Sequence, residues 1–506
     1  MKMTFLSAAF LLIVMGCSHV RQTERNENRE AEHEWRSFNQ DLSSNRYSTL
    51  EEINDLNVSE LKKRCSFDLG EKAIFESGPI VAKGILYVTT FENTYAIKAD
   101  SCELIWKQGG GLNLESSEPG TNRGVAYASG KVFRGTPDGS LIALDALTGK
   151  LIWKTAAADT EADESITAAP VVWRGMVFIG NSGGKLEGVR GRLMAFDANT
   201  GRSLWSTFLV PYENYEDALG GAKTWSSYTI DEGEGLLLAG TGNGTPPLGP
   251  LKPFGKDLFT NSIIALDAKK GKIHFSYQVT RHDFHGWAAS TAPVLIKKSA
   301  AGRKIILEAG KDGLLHAVDL ETRTEIYATP LTRRLNVTKA YSNEPVRFCP
   351  GIMGGSIWNG PSYHPRLNLV YVNSSDVCST VRLDARNGNN PIVHSDLKKK
   401  WMGWVTAVNA DTGKISWRHS MKGPMIAGVT STASGLVFTG DLEGHLYAFD
   451  GLSGKLLLKM SIGSPIGGGV ISYAVNAKQF IAIAAGTESK VWRSRSPTTQ
   501  LIVFSL

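Results

Sequence analysis

One short pattern of apolar and polar positions recurs along the chain and organises it. The template is Ala-x-Asp-x-x-x-Gly-x-x-x-Trp, and its clearest copies run from Ala143 to Trp153 and from Ala195 to Trp205. The apolar positions predict two strands, and the Asp, Thr and Gly between them predict a tight polar turn. The closing aromatic residue suits a position between neighbouring sheets. Looser copies cover 96–106, 265–275, 317–327, 407–417 and 448–458.

The repeat predicts the fold class. A strand-rich unit that recurs roughly every 40–50 residues is typical of a β-propeller or a solenoid. Seven copies are visible, and an eighth is implied, because three strand-like runs (469–473, 479–483 and 501–504) follow the last copy and one (61–67) precedes the first. We therefore predict an all-β, eight-bladed β-propeller of four-stranded antiparallel blades. Pairing of the N- and C-terminal strands would close the ring and remove exposed sheet edges.

Composition changes this picture little. Of the 506 residues, 42% are hydrophobic and 21% are charged, so the chain can bury a large core. The net charge of +6 is spread along the chain, and the basic runs at 62–64 and 398–400 are short. We interpret both runs as solvated faces and expect no nucleic-acid partner.

The first 17 residues have the features of a targeting segment. Lys2 supplies a positive start, and the apolar run 5–15 is too short to span a bilayer permanently. Gly16 directly before Cys17 resembles a bacterial lipobox, which implies a mature chain that begins at a lipidated Cys17. A plain secretion signal is the alternative. Ser18 after the cysteine, instead of Asp, favours the outer membrane over the inner by the same resemblance.

These features divide the chain into three parts. Residues 1–17 are predicted to be a lipoprotein signal peptide, and the charged, apolar-poor residues 18–34 a flexible tether. Residues 35–506 form the predicted propeller. The expected location is periplasm-facing and lipid-anchored, at the outer membrane.

Four cysteines follow the signal segment: Cys65, Cys102, Cys349 and Cys378. An even number in an oxidising compartment predicts two disulfides. We expect Cys349 and Cys378 to bracket a strand pair, and Cys65 and Cys102 to tie the ring-closing strand to the first full blade. Metal binding is the less favoured alternative, because no histidines cluster near these cysteines.

Several short motifs carry a family resemblance. Residues 35–50 read Trp-x-Ser-Phe-Asn-x-Asp-Leu-x-x-Asn-Arg-Tyr-Ser-Thr-Leu. Asn-Arg-Gly-Val-Ala (122–126), Gly-Val-Arg-Gly (188–191), Gly-Thr-Gly-Asn (240–243) and Cys-Pro-Gly (349–351) follow in order. Together they resemble the pyrroloquinoline quinone (PQQ)-dependent alcohol dehydrogenases. The resemblance runs to the C-terminus, and the eight-bladed propeller of that family agrees with the repeat.

The resemblance implies a set of cofactor contacts. PQQ is a planar, tricarboxylated orthoquinone, so its site needs cations, a flat face and a Lewis acid near the quinone oxygen. Arginine suits a carboxylate and indole suits stacking. The positions that match the family's contacts are Glu76, Arg123, Thr167, Trp225, Lys311 and Trp358, although Ile357 replaces a frequent Asn before the last of them.

The resemblance also implies a Ca²⁺ site, with Asn243 as the amide ligand. The acidic ligand of the family lies just before Gly-Val-Arg-Gly, where this chain has a displaced Glu187, with Lys185 nearby. Ca²⁺ prefers several hard oxygens with carboxylate charge. Either Glu187 is a ligand from a shifted loop or the metal site is weakened, and a lysine ammonium could take the place of the cation.

The catalytic base is where the chain departs most from the family. The family pattern is His-Asp-x-Trp-Asp with the second Asp as base, whereas residues 282–286 read His-Asp-Phe-His-Gly. Glycine cannot accept a proton. His285 titrates near neutrality and is one candidate; Asp283 is the other, if the loop shifts. The remaining alternative is a site that binds the cofactor poorly or not at all.

Two functions follow from these observations. The first is an exported quinoprotein that oxidises an alcohol or a related hydroxyl compound. No Cys-x-x-Cys-His is present for a haem, so electrons would pass to an external acceptor such as a cytochrome c. The second is a non-catalytic propeller lipoprotein, resembling the outer-membrane assembly lipoproteins, that acts as a scaffold. The insertions and the segment 35–50 favour the first, and the altered base and metal loop favour the second.

Overall fold

The computed structural model describes residues 33–109, 120–183, 189–210, 220–244, 248, 259–289, 291–388 and 390–506. In these ranges the chain is almost entirely β, with 3-10 helices at Val58–Glu60, Ala385–Asn387 and Lys398–Lys400. The all-β prediction is confirmed. We find no helix among the described residues with the length and apolar character of a membrane span.

Four-stranded antiparallel sheets follow one another along the chain, numbered here by the order of their first strands. Sheet 1 contains Ile80–Ala82, Ile85–Thr89, Thr94–Lys98 and Leu104–Gln108. Sheet 2 contains Ala126–Ala128, Lys131–Gly135, Ser140–Asp145 and Leu151–Ala156. Sheet 3 contains Val171–Trp173, Met176–Gly180, Arg192–Asp197 and Ser203–Phe208. Sheet 4 contains Thr229–Asp231, Leu236–Gly240, Ser262–Asp267 and Ile273–Gln278.

The second half of the chain continues the series. Sheet 5 contains Val294–Ile296, Ile305–Ala309, Leu314–Asp319 and Glu325–Pro330. Sheet 6 contains Ser362–His364, Leu369–Asp376, Met402–Asn409 and Ile415–Met421. Sheet 7 contains Thr430–Thr432, Leu436–Gly440, His445–Asp450 and Leu456–Ser461, with Tyr47–Ser48 added in parallel at its first strand. Sheet 8 contains Ile466–Val475, Lys478–Ala485, Gln500–Ser505 and Lys62–Asp68.

Two smaller sheets lie outside this series. One joins Val346–Phe348, Ser379–Asp384 and Asn390–Ser395, and the other pairs Glu164–Ser165 with Ser182–Gly183. Both arise from insertions between the strands of the repeat.

The strand predicted at 61–67 pairs with the C-terminal strands. Lys62–Asp68 lies antiparallel to Gln500–Ser505, with Cys65 opposite Val503. Its first three residues, the basic run 62–64, are exposed, as are Lys398–Lys400. The prediction that both runs are solvated is therefore confirmed.

The closing aromatic residue of the repeat lies between neighbouring sheets, as predicted. Trp153 of sheet 2 donates its Nε1–H to the carbonyl of Ala198 in sheet 3 at 3.2 Å. The next turn leaves room for the ring only because it has glycine: a Cβ at Gly201, whose φ is +71°, would lie 2.6 Å from Trp153. The same indole-to-carbonyl bond links sheets 1 and 2, 3 and 4, and 6 and 7, through Trp106, Trp205 and Trp417.

Both predicted disulfides are present. Cys65–Cys102 joins the last strand of sheet 8 to a turn of sheet 1, at a Cα–Cα distance of 5.8 Å. Cys349–Cys378 lies at the end of the paired strands Val346–Phe348 and Ser379–Asp384. The first bridge lies where other sheets carry the aromatic residue.

Residues 42–46 cross the first strands of four successive sheets. The carbonyl of Leu42 accepts from Ile230 of sheet 4 (2.7 Å), and that of Ser43 from Leu295 of sheet 5 (2.9 Å). The carbonyls of Asn45 and Arg46 accept from Tyr363 of sheet 6 (2.9 Å) and Ser431 of sheet 7 (3.2 Å). This crossing segment therefore brings those four first strands towards one another.

Candidate functional site

The predicted cofactor and catalytic residues in the described ranges lie in two kinds of connection. Arg123, Thr167, Trp225, Asp283 and Trp358 follow the fourth strand of one sheet and precede the first strand of the next. Asn243 and Lys311 follow the second strand of sheets 4 and 5. Because antiparallel strands alternate in direction, both kinds of connection come out at the same end of the sheets. The fold thus gathers residues that are distant in sequence.

Arg123 lies at the centre of the first group. Its Nη2 donates to Glu76 Oε2 at 2.8 Å, and its Nη1 donates to the carbonyl of Trp225 at 2.9 Å. The guanidinium carbon is 4.8 Å from the centroid of the Trp225 ring. Burial raises the pKa of Glu76 and lowers that of Arg123, and the ion pair opposes both shifts. The pair therefore keeps a buried guanidinium beside the Trp225 ring.

Thr167 and Trp358 join this group. The backbone carbonyl of Thr167 accepts from the backbone N–H of Arg123 at 3.0 Å. The hydroxyl of Thr167 donates to the carbonyl of Trp225 at 3.3 Å. Trp358 packs with Phe38 at 5.9 Å between ring centroids, and partly buried Trp225 packs against the same cluster. These aromatic side chains form a layer beside the Arg123–Glu76 pair.

Asp283, Asn243 and Lys311 form the second group. Asn243 Nδ2 donates to Asp283 Oδ2 at 2.8 Å, and the backbone N–H groups of His285 and Trp287 donate to the same carboxylate. Burial raises the pKa of Asp283 in spite of these donors. Burial lowers the pKa of Lys311, and the nearby charge of Asp283 opposes that shift. A partly buried carboxylate, held by the amide of Asn243, therefore lies near the partly buried ammonium of Lys311.

The other candidate base, His285, occupies a different environment. Its ring stacks on Trp287 with centroids 4.0 Å apart and an interplanar angle of 8°, and Phe284, Tyr341 and Phe348 surround it. The side chain is only 1% exposed, and burial lowers its pKa to about 4. His285 is thus a neutral member of an aromatic cluster.

The metal ligands are only partly described. Asn243 presents its amide oxygen beside Asp283, whereas Glu187 lies outside the described residues, as do Lys185 and Cys17. Within the described ranges, no three His, Cys, Asp or Glu side chains group to hold a metal ion. The described donor set thus comprises one amide and one carboxylate, fewer than Ca²⁺ usually takes.

Sequence reasoning missed three residues of this region. Phe38, in the quoted run 35–50, packs on Trp358. The side chain of Asn261 helps to lower the pKa of Asp283, against the effect of burial. Lys223, two residues before Trp225, donates from Nζ to the carbonyl of Gly183 at 2.8 Å, and burial lowers its pKa. Of these three residues, only Phe38 had a signal in the sequence, because it lies in a family-like run. The roles of Asn261 and Lys223 can be recognised only from the folded structure.

Comparison with known families decides the relationship. A family model described as "Glucose/ethanol/alcohol dehydrogenase, beta-propeller domain", with the short name PQQ, matches residues 35–334. The chain belongs to this PQQ dehydrogenase family. Its propeller fold is that of the family, and the alternation of sheets and connections described above is the form it takes here.

Relatives of this PQQ dehydrogenase chain are similar over most of its length. The quinohemoprotein alcohol dehydrogenase of Comamonas testosteroni is 30% identical, over 90% of this chain and 72% of that protein. The lanthanide-dependent methanol dehydrogenase of Methylacidiphilum fumariolicum (strain SolV) is 29% identical, over 90% and 84%. A solved europium-containing methanol dehydrogenase superimposes with a TM-score of 0.85 at 25% identity, covering 95% of this chain and 100% of that one.

A second likeness concerns the repeat alone. A family model described as "Outer membrane protein assembly factor BamB" matches residues 402–505 of this PQQ dehydrogenase chain. The crystal structure of BamB from Moraxella catarrhalis superimposes with a TM-score of 0.52 at 14% identity, over 88% of this chain and 98% of that one. At that identity the likeness shows the fold only.

Proposed function

We propose that the chain is a PQQ-dependent dehydrogenase that oxidises an alcohol or a related hydroxyl compound. One observation carries the proposal: the buried Arg123–Glu76 pair holds the guanidinium carbon 4.8 Å from the centroid of the Trp225 ring. An aromatic ring with a fixed cation beside it fits a planar, carboxylated ring. Family membership over residues 35–334 supports this assignment.

The residues present fit PQQ on a further point. Arg123 Nε is buried and has no hydrogen-bond partner within the described residues, although Nη1 and Nη2 are both used. A buried guanidinium N–H without an acceptor is costly, and a cofactor carboxylate would satisfy it. Arg123 would hold that carboxylate, Trp225 would support the ring, and Lys311 would lie near the quinone oxygens. PQQ, when bound, supplies the acceptor for a hydride.

We propose Asp283 as the group that accepts the hydroxyl proton of the substrate. Its raised pKa strengthens it as a base, and two backbone N–H groups with Asn243 fix its orientation. His285 is a weaker candidate, because its ring is enclosed by aromatic side chains and its pKa is lowered to about 4. Lys311 would stabilise the ionised carboxylate through its charge.

We also propose a divalent cation such as Ca²⁺ beside Asn243. The amide oxygen is available, since Nδ2 of the same side chain donates to Asp283. The predicted Glu187 would complete the ligands, together with the cofactor. The cation would supply positive charge next to the quinone.

The finer architecture is part of the proposal: eight blades in a closed ring. Aromatic-to-carbonyl bonds join successive sheets, including Tyr327 of sheet 5 to Ala410 of sheet 6 at 3.0 Å. The hydroxyl of Tyr277 in sheet 4 donates to the carboxylate of Glu325 in sheet 5. Sheets 7 and 8 share a hydrophobic core cluster, and the disulfide Cys65–Cys102 joins sheets 8 and 1. A circuit of eight such links supports closure by the terminal strands.

Export and anchoring remain proposals from the sequence. We propose that residues 1–17 direct export, that Cys17 carries a lipid, and that residues 18–34 tether a propeller facing the periplasm at the outer membrane. An external acceptor such as a cytochrome c would receive the electrons. A purely structural scaffold is the alternative, and the match of 402–505 to the BamB model supports it only over the last part of the chain.

The test is a titration of PQQ into the purified chain, with and without CaCl₂. Quenching of tryptophan fluorescence reports binding, and dye reduction with primary alcohols reports turnover. Replacing Arg123 with Ala should weaken binding by about 10- to 100-fold, because a charge-assisted contact is lost. Arg64→Ala, at an exposed position of sheet 8, is the matched control. Equal affinities for the Arg123→Ala variant and the wild type would contradict the proposed site.

A further inference from the structure

Arg46 is a buried arginine on the crossing segment. It follows Asn45, and its backbone carbonyl accepts from Ser431 of sheet 7. The side chain is 2% exposed. Its guanidinium lies over the ring of Phe38, at 5.0 Å from the centroid. The positive charge is therefore enclosed where the first strands of sheets 6 and 7 approach this segment.

The guanidinium of Arg46 lacks the partners that other buried arginines have. Its Nε and Nη2 atoms are buried and donate no hydrogen bond within the described residues. Arg134, which is 1% exposed, donates to the carbonyls of Gly135 and Phe91 and to the hydroxyl of Thr94. Arg123 has the carboxylate of Glu76. Among the described residues, Arg46 alone of these three has neither a carboxylate nor a carbonyl as a partner.

A charge buried in this way is expensive. Removing an ion from water carries a large free-energy cost unless an opposite charge or hydrogen bonds replace the solvent. Burial lowers the pKa of Arg46 to about 9, and no neighbouring carboxylate opposes the shift. At neutral pH the side chain is still charged. Water can satisfy its N–H groups but cannot compensate its charge.

Two glycines bring their backbone close to the guanidinium. A Cβ at Gly428 would lie 3.2 Å from Arg46 Nη1, and one at Gly360 would lie 3.9 Å from Nε. Glycine at both positions therefore removes two side chains that would otherwise press on the group. Trp358, which packs on the same Phe38 ring, also has a buried Nε1–H without a partner in the described residues.

We propose that Arg46 binds a small inorganic anion of the chloride class inside the fold. The site supplies donors and positive charge and is enclosed by apolar rings and glycine backbone, which favours a compact, singly charged ion. It is distinct from the Arg123 group, whose charge already has Glu76. The anion would compensate Arg46 and stabilise the junction of the crossing segment with sheets 6 and 7.

Crystals soaked in sodium bromide test the site directly. Bromide replaces chloride and gives an anomalous signal that water does not. A peak within about 3.5 Å of Arg46 Nε or Nη2 is expected, by the geometry of an N–H donor to a large anion. Density for water alone beside Arg46, without an anomalous peak, would overturn the proposal.

Thermal unfolding gives a second test, performed without PQQ so that it is independent of the proposed catalysis. The midpoint of the wild type should rise by about 1–3 °C between low and saturating chloride, at constant ionic strength kept with gluconate. Arg46→Met should lose this dependence, and Arg134→Met should keep it. If chloride raises the midpoints of the Arg46→Met variant and the wild type equally, no ion is bound at Arg46. Should Arg46→Met not fold, the bromide crystals decide alone.

Discussion

Asn243 donates its side-chain N–H to the carboxylate of Asp283 at 2.8 Å. Since Nδ2 is used in this bond, the amide oxygen of Asn243 is turned away from the carboxylate. Two backbone N–H groups also donate to the carboxylate of Asp283, so its orientation is set before a substrate binds. This pair connects an oxygen ligand suited to a cation with a group suited to accept a proton.

The first prediction concerns the identity of the base. Asp283→Asn should lower kcat by about 10²- to 10⁴-fold, the range for loss of general-base catalysis, while PQQ affinity changes much less. His285→Phe should retain most of the activity, because the ring of His285 is part of an aromatic cluster. Steady-state kinetics with a primary alcohol measures both. The reverse ranking of the two variants would identify His285 as the base.

The second prediction is the pH dependence of turnover. Only ionised Asp283 accepts a proton, and burial raises its pKa above the ordinary carboxyl value of 3.8. The rate constant kcat/KM should therefore rise with pH and level off above the raised pKa. A profile of kcat/KM from pH 4 to 9 measures this dependence. The rise with pH should be absent in the Asp283→Asn variant. A rate that falls with rising pH over this range would contradict a carboxylate base.

Much of the fold was predictable because its rules are local. Asp145, for example, accepts from the backbone N–H of Leu147 and Thr148, which makes the repeated turn recognisable from its residues alone. Trp153 was predictable as an inter-sheet residue for the same reason. The candidate site was less predictable. Asp283 and His285 are two residues apart and both titrate, and only the fold shows that the ring of His285 is enclosed by aromatic side chains.

The third prediction tests the contact between sheets 2 and 3. Gly201→Ala should lower the free energy of unfolding by about 2–4 kcal/mol, because a Cβ would lie 2.6 Å from Trp153 and φ is +71°. Gly175→Ala is the matched control, since its φ is +74° but nothing lies within 4 Å of the added Cβ. That control should cost only about 1 kcal/mol of backbone strain. Denaturant unfolding measures both, and equal losses would show that the contact with Trp153 contributes nothing.

The fourth prediction concerns the terminal strand. Cys65→Ser with Cys102→Ser should reduce the free energy of unfolding by about 4 kcal/mol, from the chain entropy of a loop with a sequence separation of 37. Guanidinium unfolding of the oxidised wild type and the double variant measures the loss. Ser66→Ala, on the same strand, is the control. An unchanged midpoint in the double variant would mean that strand pairing alone holds Lys62–Asp68 in place.

The last prediction uses Glu308, a buried carboxyl in the second strand of sheet 5. Its Oε1 accepts from the backbone N–H of Thr291 at 3.0 Å, whereas Oε2 has no partner within the described residues. Burial raises the pKa of Glu308 from 4.5 to about 7. The folded state therefore holds its proton more tightly than the unfolded state does. Stability from this group is complete below pH 4.5 and is lost as the pH rises towards 7.

Glu308→Gln should remove that loss, because the amide keeps an acceptor for Thr291 and does not titrate. The variant should be more stable than the wild type at pH 8, by up to about 3 kcal/mol, and about equal to it at pH 4.5. Urea unfolding at both pH values measures the difference. His316 titrates in a separate pH range. Burial opposes its charge, but Asp312 raises its pKa to about 9. The stability that His316 contributes is therefore lost as the pH rises from 6.5 to 9. An advantage of Glu308→Gln that is the same at both pH values would show that Glu308 does not lose a proton in the folded state over this range.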